Sequence, residues 1–180
     1  MRILSVLGSP RKNGNTSALL EEFLRGVNEN HNDTEISKIF LQELELKGCM
    51  GCNVCHRKES DGCVIKDDMF KLYPMIGDND VILLATPIYW WNMSAQLKTF
   101  IDRIYGFKGT LKGKKMILLT TFGDDDKMTS GALNVINSLK SMCEYEGIDF
   151  LFDYGTSSWK VPVNENKEVL KEVYELGKSI

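Results

Sequence analysis

The sequence predicts an α/β domain with a parallel sheet covered by helices on both faces. Three observations carry that prediction. Short apolar runs alternate along the whole chain with longer amphipathic segments, which is the pattern of strand–helix–strand units. The runs ILSVL (3–7), DVILLAT (80–86) and MILLTT (116–121) are apolar nearly throughout, as strands buried on both faces must be. At 180 residues the chain suits five strands in three layers better than an eight-fold barrel.

Each element can be justified in turn. ILSVL ends at Gly8, and Leu19, Leu20, Phe23, Leu24 and Val27 then line one helical face between Thr16 and Val27. EISKIF (35–40) alternates apolar and polar residues as a half-buried strand does. Asp67 reads as an N-cap for a helix with Met69, Leu72, Tyr73 and Ile76 as its stripe. After DVILLAT, Ser94 can cap a helix bearing Leu97, Phe100, Ile101 and Ile104. MILLTT is followed by a helix near 129–145, IDFLF (148–152) is the last strand, and Val169, Val173 and Leu176 mark a closing helix. No repeat or linker interrupts the pattern, so one domain over 1–180 is expected, with a cysteine-rich loop at 47–66.

The net charge of −3 argues against a nucleic-acid or membrane-surface binder, which would carry a basic patch. MRILSVLGSP lacks the longer apolar core and cleavage site of a secretory signal, and no run reaches a membrane-spanning length. A cytoplasmic protein is the expectation, and in that compartment clustered cysteines point to metal or redox roles before structural disulfides.

In such a sheet, ligands bind beyond the carboxyl ends of the strands. The first loop there reads GSPRKNGNTSALL. Its glycines and asparagines permit tight turns, Ser9, Asn15, Thr16 and Ser17 offer short polar groups, and Arg11 and Lys12 add charge. With a helix N-terminus behind it, this is a phosphate cradle. A plain polar turn with a good helix cap would read similarly. It is neither the ATP-binding pattern, since Asn15 stands where lysine would, nor G-x-G-x-x-G. The loop after DVILLAT reads TPIYWWNMSAQLKTFIDR, and Tyr89, Trp90 and Trp91 there suit either stacking on a planar ring or an oligomer interface. Lys98, Asp102 and Arg103 read as helix-surface charges or an ion pair.

Four of the five cysteines fall in CMGCNVCHRKESDGC (49–63). Cys49, Cys52 and Cys55 are spaced to surround one cubane, with Cys63 able to supply a fourth thiolate. Plain redox or structural thiols fit as well, and zinc or a disulfide fits less well. Cys143, alone on a helix, reads as a small core residue, and His31 and His56 read as exposed without a role.

Three stretches in this order and spacing, GSPRKNGNT, the cysteine cluster running into CVIKDDM, and TPIYWWNMSAQLKTFIDR, resemble the flavodoxin-like NADPH-dependent FMN reductases, and within them the iron–sulfur flavoprotein branch. The resemblance implies a flavodoxin-like three-layer sandwich with strand order 2-1-3-4-5. It implies that Ser9, Arg11, Asn15, Thr16 and Ser17 hold the FMN phosphate. Pro87, Ile88, Tyr89 and Trp90 would contact the isoalloxazine and ribityl chain, and Thr121, Phe122 and Gly123 would meet the polar edge of the ring. The run Asp124–Asp126 departs from what suits a phosphate-bearing cofactor and reads as a solvated acidic loop. Cys49, Cys52, Cys55 and Cys63 would hold a [4Fe–4S] cluster if the branch is the right one.

The function expected is an FMN-dependent NAD(P)H oxidoreductase, with hydride passing from the nicotinamide to flavin N5 and on to a small-molecule or protein acceptor. No protein residue is expected to act as catalyst, because the flavin carries the chemistry. The alternative is an electron carrier with FMN and a [4Fe–4S] cluster, reduced by a ferredoxin-like partner. The resemblance also implies a homodimer or larger assembly.

Overall fold

The computed structural model describes residues 1–30 and 33–180; His31 lies outside them. Five strands form a parallel sheet: β1 (Arg2–Leu7), β2 (Glu35–Phe40), β3 (Val81–Tyr89), β5 (Lys115–Phe122) and β6 (Asp149–Ser157), in the order β2-β1-β3-β5-β6. A sixth, β4 (Asn92–Met93), turns back antiparallel onto the end of β3, pairing Tyr89 with Asn92 and Ile88 with Met93. The order expected from the resemblance therefore holds for the parallel strands, and β4 is the addition. Nothing in the sequence advertises it, since two residues between two aromatics carry no alternation to read.

The helices are α1 (Asn15–Asn30), α2 (Met69–Asp78), α3 (Ala95–Ile104), α4 (Ala132–Glu146) and α5 (Lys167–Lys178). The stripes read from the sequence are the buried faces. Leu19, Leu20, Phe23, Leu24 and Val27 of α1 join Ile3, Leu83 and Leu119 in one core layer. Leu72 and Ile76 of α2, with Leu97 and Phe100 of α3, join Leu4, Ile82 and Leu118 in the other. Cys143 is 1% exposed and belongs to this second layer, where burial pushes its thiol up to about 11.

α1 and α5 cross at two glycines. A Cβ on Gly26 would stand 2.1 Å from the Tyr174 carbonyl oxygen, and one on Gly177 would stand 2.1 Å from that of Phe23. Backbones this close leave no volume for a methyl group. Gly26→Ala and Gly177→Ala should each cost about 1–3 kcal/mol by overpacking, and denaturant titration of the two variants checks it.

Candidate active site at the carboxyl edge and the cysteine loop

The parallel strands all deliver their carboxyl ends to one side, and three loops meet there. The first leaves β1 at Gly8. Ser9, 3% exposed, accepts from the Arg11 N–H at 3.1 Å and donates to the Arg11 carbonyl at 3.3 Å, so its hydroxyl shapes the turn. Arg11 is exposed. The first bond of α1 runs from the Ala18 N–H to the Gly14 carbonyl at 3.0 Å. The N–H groups of Asn15, Thr16 and Ser17 precede it, in the turn that has no carbonyl of its own to bond. They aim at whatever lies beyond the helix end, with the positive pole of the helix behind them.

Two of the predicted ligands are tied to the protein. Thr16, 2% exposed, shares a 2.6 Å hydroxyl–hydroxyl bond with Thr121 at the end of β5. Asn15 Oδ1 accepts from the Val163 N–H at 2.9 Å, which fixes the segment after β6 against α1. Ser17 is also buried. The first and third loops are thus joined by the same side chains that line them.

The second loop leaves β3 through Thr86 and Pro87, both buried, and Ile88, half-buried. Trp90 and Trp91 form its tip with φ of 48° and 62°. Two bulky residues in the left-handed region make a strained two-residue hairpin turn, of the sort usually built from Asn and Gly. Contacts to one of them hold it there. Trp91 Nε1 donates to the Thr129 carbonyl at 3.0 Å, and Asn134 Nδ2 donates to the Trp91 carbonyl at 3.1 Å. Gly131, at φ 85°, lets the two chains touch, because a Cβ there would lie 2.5 Å from Trp91 Cα. Trp90 is 89% exposed and meets only the edge of Trp91, with centroids 5.3 Å apart. Tyr89 is exposed beside it.

Beyond the hairpin, Ser94 caps α3 as the sequence predicts, accepting from the Leu97 N–H at 3.2 Å. It also donates to the Gly8 carbonyl at 2.5 Å, so the first loop rests on the start of α3. In the third loop Thr121 and Phe122 are buried and Gly123 is exposed, so Gly123 is the member open to a ligand. The acidic run caps its own turn. Asp126 accepts from the N–H groups of Met128 and Thr129 at 2.7 and 2.9 Å, which holds its carboxyl below the usual range, and Asp125 pairs with Lys160 at 3.1 Å.

Sequence reasoning missed the loop after β6. Ser158 N–H donates to the Phe122 carbonyl at 2.8 Å, and Trp159, 73% exposed, lies beside Gly123. TSSWK stands just past a strand at the carboxyl edge, which was the signal available.

The ion-pair reading of Lys98, Asp102 and Arg103 holds, but Arg103 is not a surface charge. Lys98 and Asp102 do form an exposed pair at 2.5 Å, but Arg103 is 1% exposed. It forks onto Asp67, with Nη2 to Oδ1 at 3.0 Å and Nη1 to Oδ2 at 2.5 Å. Helical periodicity alone cannot tell which polar residue turns inward. Asp67 does accept from the Met69 N–H at 3.1 Å, yet Asp68 is the N-cap position of α2 and Asp67 chiefly serves Arg103. Burial would push the Asp67 carboxyl up, but the bonds from Arg103, Lys47 and Met69 outweigh it and hold the group below its ordinary range. Arg103 is held above its own despite burial, by Asp67.

This pair sits at the base of the cysteine loop. Cys49 and Cys52 are exposed, and Cys55 and Cys63 are half-buried. The Cys55 thiol is pushed up, first by burial and then by the charge of Cys63, with Cys52 and Cys49 contributing less. The Gly51 N–H points to Cys49 Sγ at 3.4 Å, the N–H···S bond that suits a thiolate. Among the described residues, no three Cys, His, Asp or Glu side chains converge on one metal position. The donors match a thiolate-ligated cluster in kind, but among the described residues they stand apart. His56, assigned no role from sequence, stacks on Tyr105 at 4.0 Å and bonds its carbonyl through Nε2 at 2.8 Å. Lys108 Nζ donates to the Cys55 carbonyl at 2.5 Å. A groove of about 560 Å³ opens beside Cys63, lined by Arg57, Lys58, Ser60 and Lys66.

A parallel sheet with an anion-binding turn after β1, an aromatic loop after β3 and polar turns after β5 and β6 defines a flavodoxin-like nucleotide-binding protein. The chain belongs to the NADPH-dependent FMN reductase family, whose pattern matches residues 1–153. It is 40% identical to an iron–sulfur flavoprotein of Archaeoglobus fulgidus over 63% of this chain, spanning 51%, about half, of that relative. An iron–sulfur flavoprotein of Methanosarcina thermophila is 28% identical over 100% of this chain and 93% of its own. Azoreductase AzrA shares the fold, with a TM-score of 0.78 over the whole of both chains at 16% identity. FMN and NAD(P)H are the cofactors of the family, and its members are flavin oxidoreductases.

The Arg103–Asp67 pair has a pH signature. A depressed carboxyl contributes stability that is complete above about pH 4 and is lost as pH falls through the folded value. Asp67→Asn strands a buried guanidinium and should cost about 3–5 kcal/mol at pH 7. Denaturant titrations at pH 7 and pH 3 should show that gap narrowing at the lower pH.

Proposed function

We propose that this chain is an FMN-dependent NAD(P)H oxidoreductase whose flavin lies across the carboxyl edge of the sheet. The observation that carries the reading is the convergence there of an anion-binding helix start, a hairpin of aromatics and the exposed Gly123, with the first and third loops joined by the Thr16–Thr121 bond. The residues fit FMN by their chemistry. Ser9, Arg11, Asn15, Thr16 and Ser17 offer N–H, hydroxyl and guanidinium groups to a phosphate. Pro87, Ile88, Tyr89 and Trp90 offer an apolar shelf to a ring, and Trp159 borders it from the other side of Gly123. FMN, when bound, supplies a hydride-accepting N5 and the ability to pass electrons on one or two at a time.

The chain's own residues bind and orient. Because Thr16 is bonded to Thr121, and Gly8 to Ser94 and Ala85, the cradle is set before any ligand arrives, and little ordering is left to oppose binding. Among the described residues no helix is long and apolar enough to cross a membrane. A cytoplasmic protein acting as a homodimer or larger assembly, with a small-molecule or protein acceptor, fits this reading. Trp90, the exposed end of the shelf, suits contact with either a nicotinamide or a second copy.

A second reading is favoured by the cysteine loop: FMN together with a [4Fe–4S] cluster held by Cys49, Cys52, Cys55 and Cys63, exchanging single electrons with a ferredoxin-like protein. The N–H···S bond at Cys49 and the gathering of four thiols in one loop support it, as do relatives named iron–sulfur flavoprotein.

Iron, acid-labile sulfide and the absorption spectrum of protein purified without oxygen separate the two, followed by anaerobic mixing with NADPH. Flavin without iron and rapid bleaching by NADPH support the reductase. Iron and sulfide at roughly four each per chain, with slow reduction by NADPH, support the carrier. Absence of FMN binding would overturn both. Thr16→Val should weaken FMN binding about tenfold, the cost of one lost bond in a preformed cradle, in a titration read by flavin fluorescence.

A further inference from the structure

The cysteine loop is closed at its neck by groups that the carboxyl edge does not use. Asp67 Oδ2 accepts from the Lys47 N–H at 2.9 Å, and Asp68 Oδ2 from the Glu45 N–H at 2.9 Å. The Asp68 N–H donates back to the Glu45 carbonyl at 3.2 Å. The two ends of the loop are thereby zipped together from residues about twenty positions apart.

Arg103 enters this neck from α3. Besides its fork onto Asp67, Nη1 donates to the Lys47 carbonyl at 2.8 Å and Nη2 to the Ile65 carbonyl at 3.3 Å. One guanidinium therefore holds both strands of the neck, with Arg103 and Asp67 side chains only 1% and 2% exposed. Its Nε is buried without a partner. A buried pair of this sort is a poor stabiliser against apolar residues of equal volume, since both charges lose their water. Its geometry is that of a locating device.

What it locates is the loop that the neck closes, with its half-buried Cys55 and Cys63. The Arg103 carbonyl accepts from the Tyr73 hydroxyl at 3.0 Å, and Cys63 lies in the same neighbourhood. Both pack over Gly106, where a Cβ would meet Tyr73 Oη at 2.7 Å and Cys63 Cβ at 3.2 Å. Arg103 stands in the last turn of α3, about 12 Å along the helix from Ala95 at 1.5 Å per residue, whereas Ser94 holds the first loop at the other end.

We propose that Arg103, through Asp67, is a positioning residue for the four-cysteine loop, keeping Cys55 and Cys63 in place, and that it does so independently of the carboxyl edge. The assignment rests on the reading of those thiols as the chain's second redox element. Arg103 touches no cofactor site; it acts through the neck.

The test is alkylation of the reduced, chelator-treated full chain with iodoacetamide, resolved by cysteine in a mass spectrometer, for Arg103→Lys and for the paired apolar variant Arg103→Met/Asp67→Leu. The paired variant removes both charges together, so neither is left stranded as in a single change. Cys143 reports global opening. The expected result is that Cys55 and Cys63 react about tenfold faster than in the parent while Cys143 is unchanged and FMN affinity stays within about twofold. Unchanged rates at Cys55 and Cys63 would overturn the assignment. So would equal acceleration of all the cysteines including Cys143, which is a stability effect. Iron analysis of the unaltered protein is the separate control: its failure to hold iron removes the cluster reading and leaves the alkylation result to decide the role of Arg103.

Discussion

The arrangement depends on one constraint, the burial of β3 on both faces. Val81 to Pro87 are all buried, so helices must cover the strand from either side and neighbours must pair with it on either edge. β1 and β5 fill those edges in parallel register, Val6 against Leu84 and Leu84 against Leu118. A central parallel strand has its carboxyl end at the crevice where the order of connection reverses. The Thr86–Asn92 loop is delivered there for the same reason that its strand is apolar. Ser94 and Gly8 then meet across a distance that the sheet has already set.

Bonds between loops tie the carboxyl edge together, beyond those that shape each turn from within. Thr16 to Thr121, Asn15 to Val163, Ser94 to Gly8 and Ser158 to Phe122 each join segments far apart in sequence. The hydroxyls of Thr16, Thr121 and Ser94 are buried with their partners, which is the condition for placing them in a largely apolar wall. The Trp90–Trp91 turn is held likewise: its left-handed Trp91 is fixed by contacts from Thr129, Gly131 and Asn134, which makes the hairpin a fixed projection rather than a mobile flap.

α3 links the two regions of chemical interest without merging them. Its N-terminus belongs to the proposed flavin site, and its last turn carries Arg103 into the neck of the cysteine loop. The loop has its own supports in Tyr105, Lys108 and Tyr73. A helix of fixed rise separates the two by a set distance.

The sequence alone determined the five parallel strands, the helical faces, the Ser94 cap, the core place of Cys143 and the loops after β1, β3 and β5 at the carboxyl edge. Those features are local: period, apolar content and turn chemistry are properties of a few neighbouring residues. The motif order was also enough to indicate the family. Tertiary structure decided the rest. Arg103 and Lys98 are both cations on one helix, and only the arrival of Asp67 from a distant loop makes one of them buried. Asn15 and Thr16 look like free ligands until Val163 and Thr121 come to meet them. Trp159 joins the site only because β6 ends beside β5. Contacts between segments remote in sequence leave no periodic trace in either one, so they become visible only when the chain has folded.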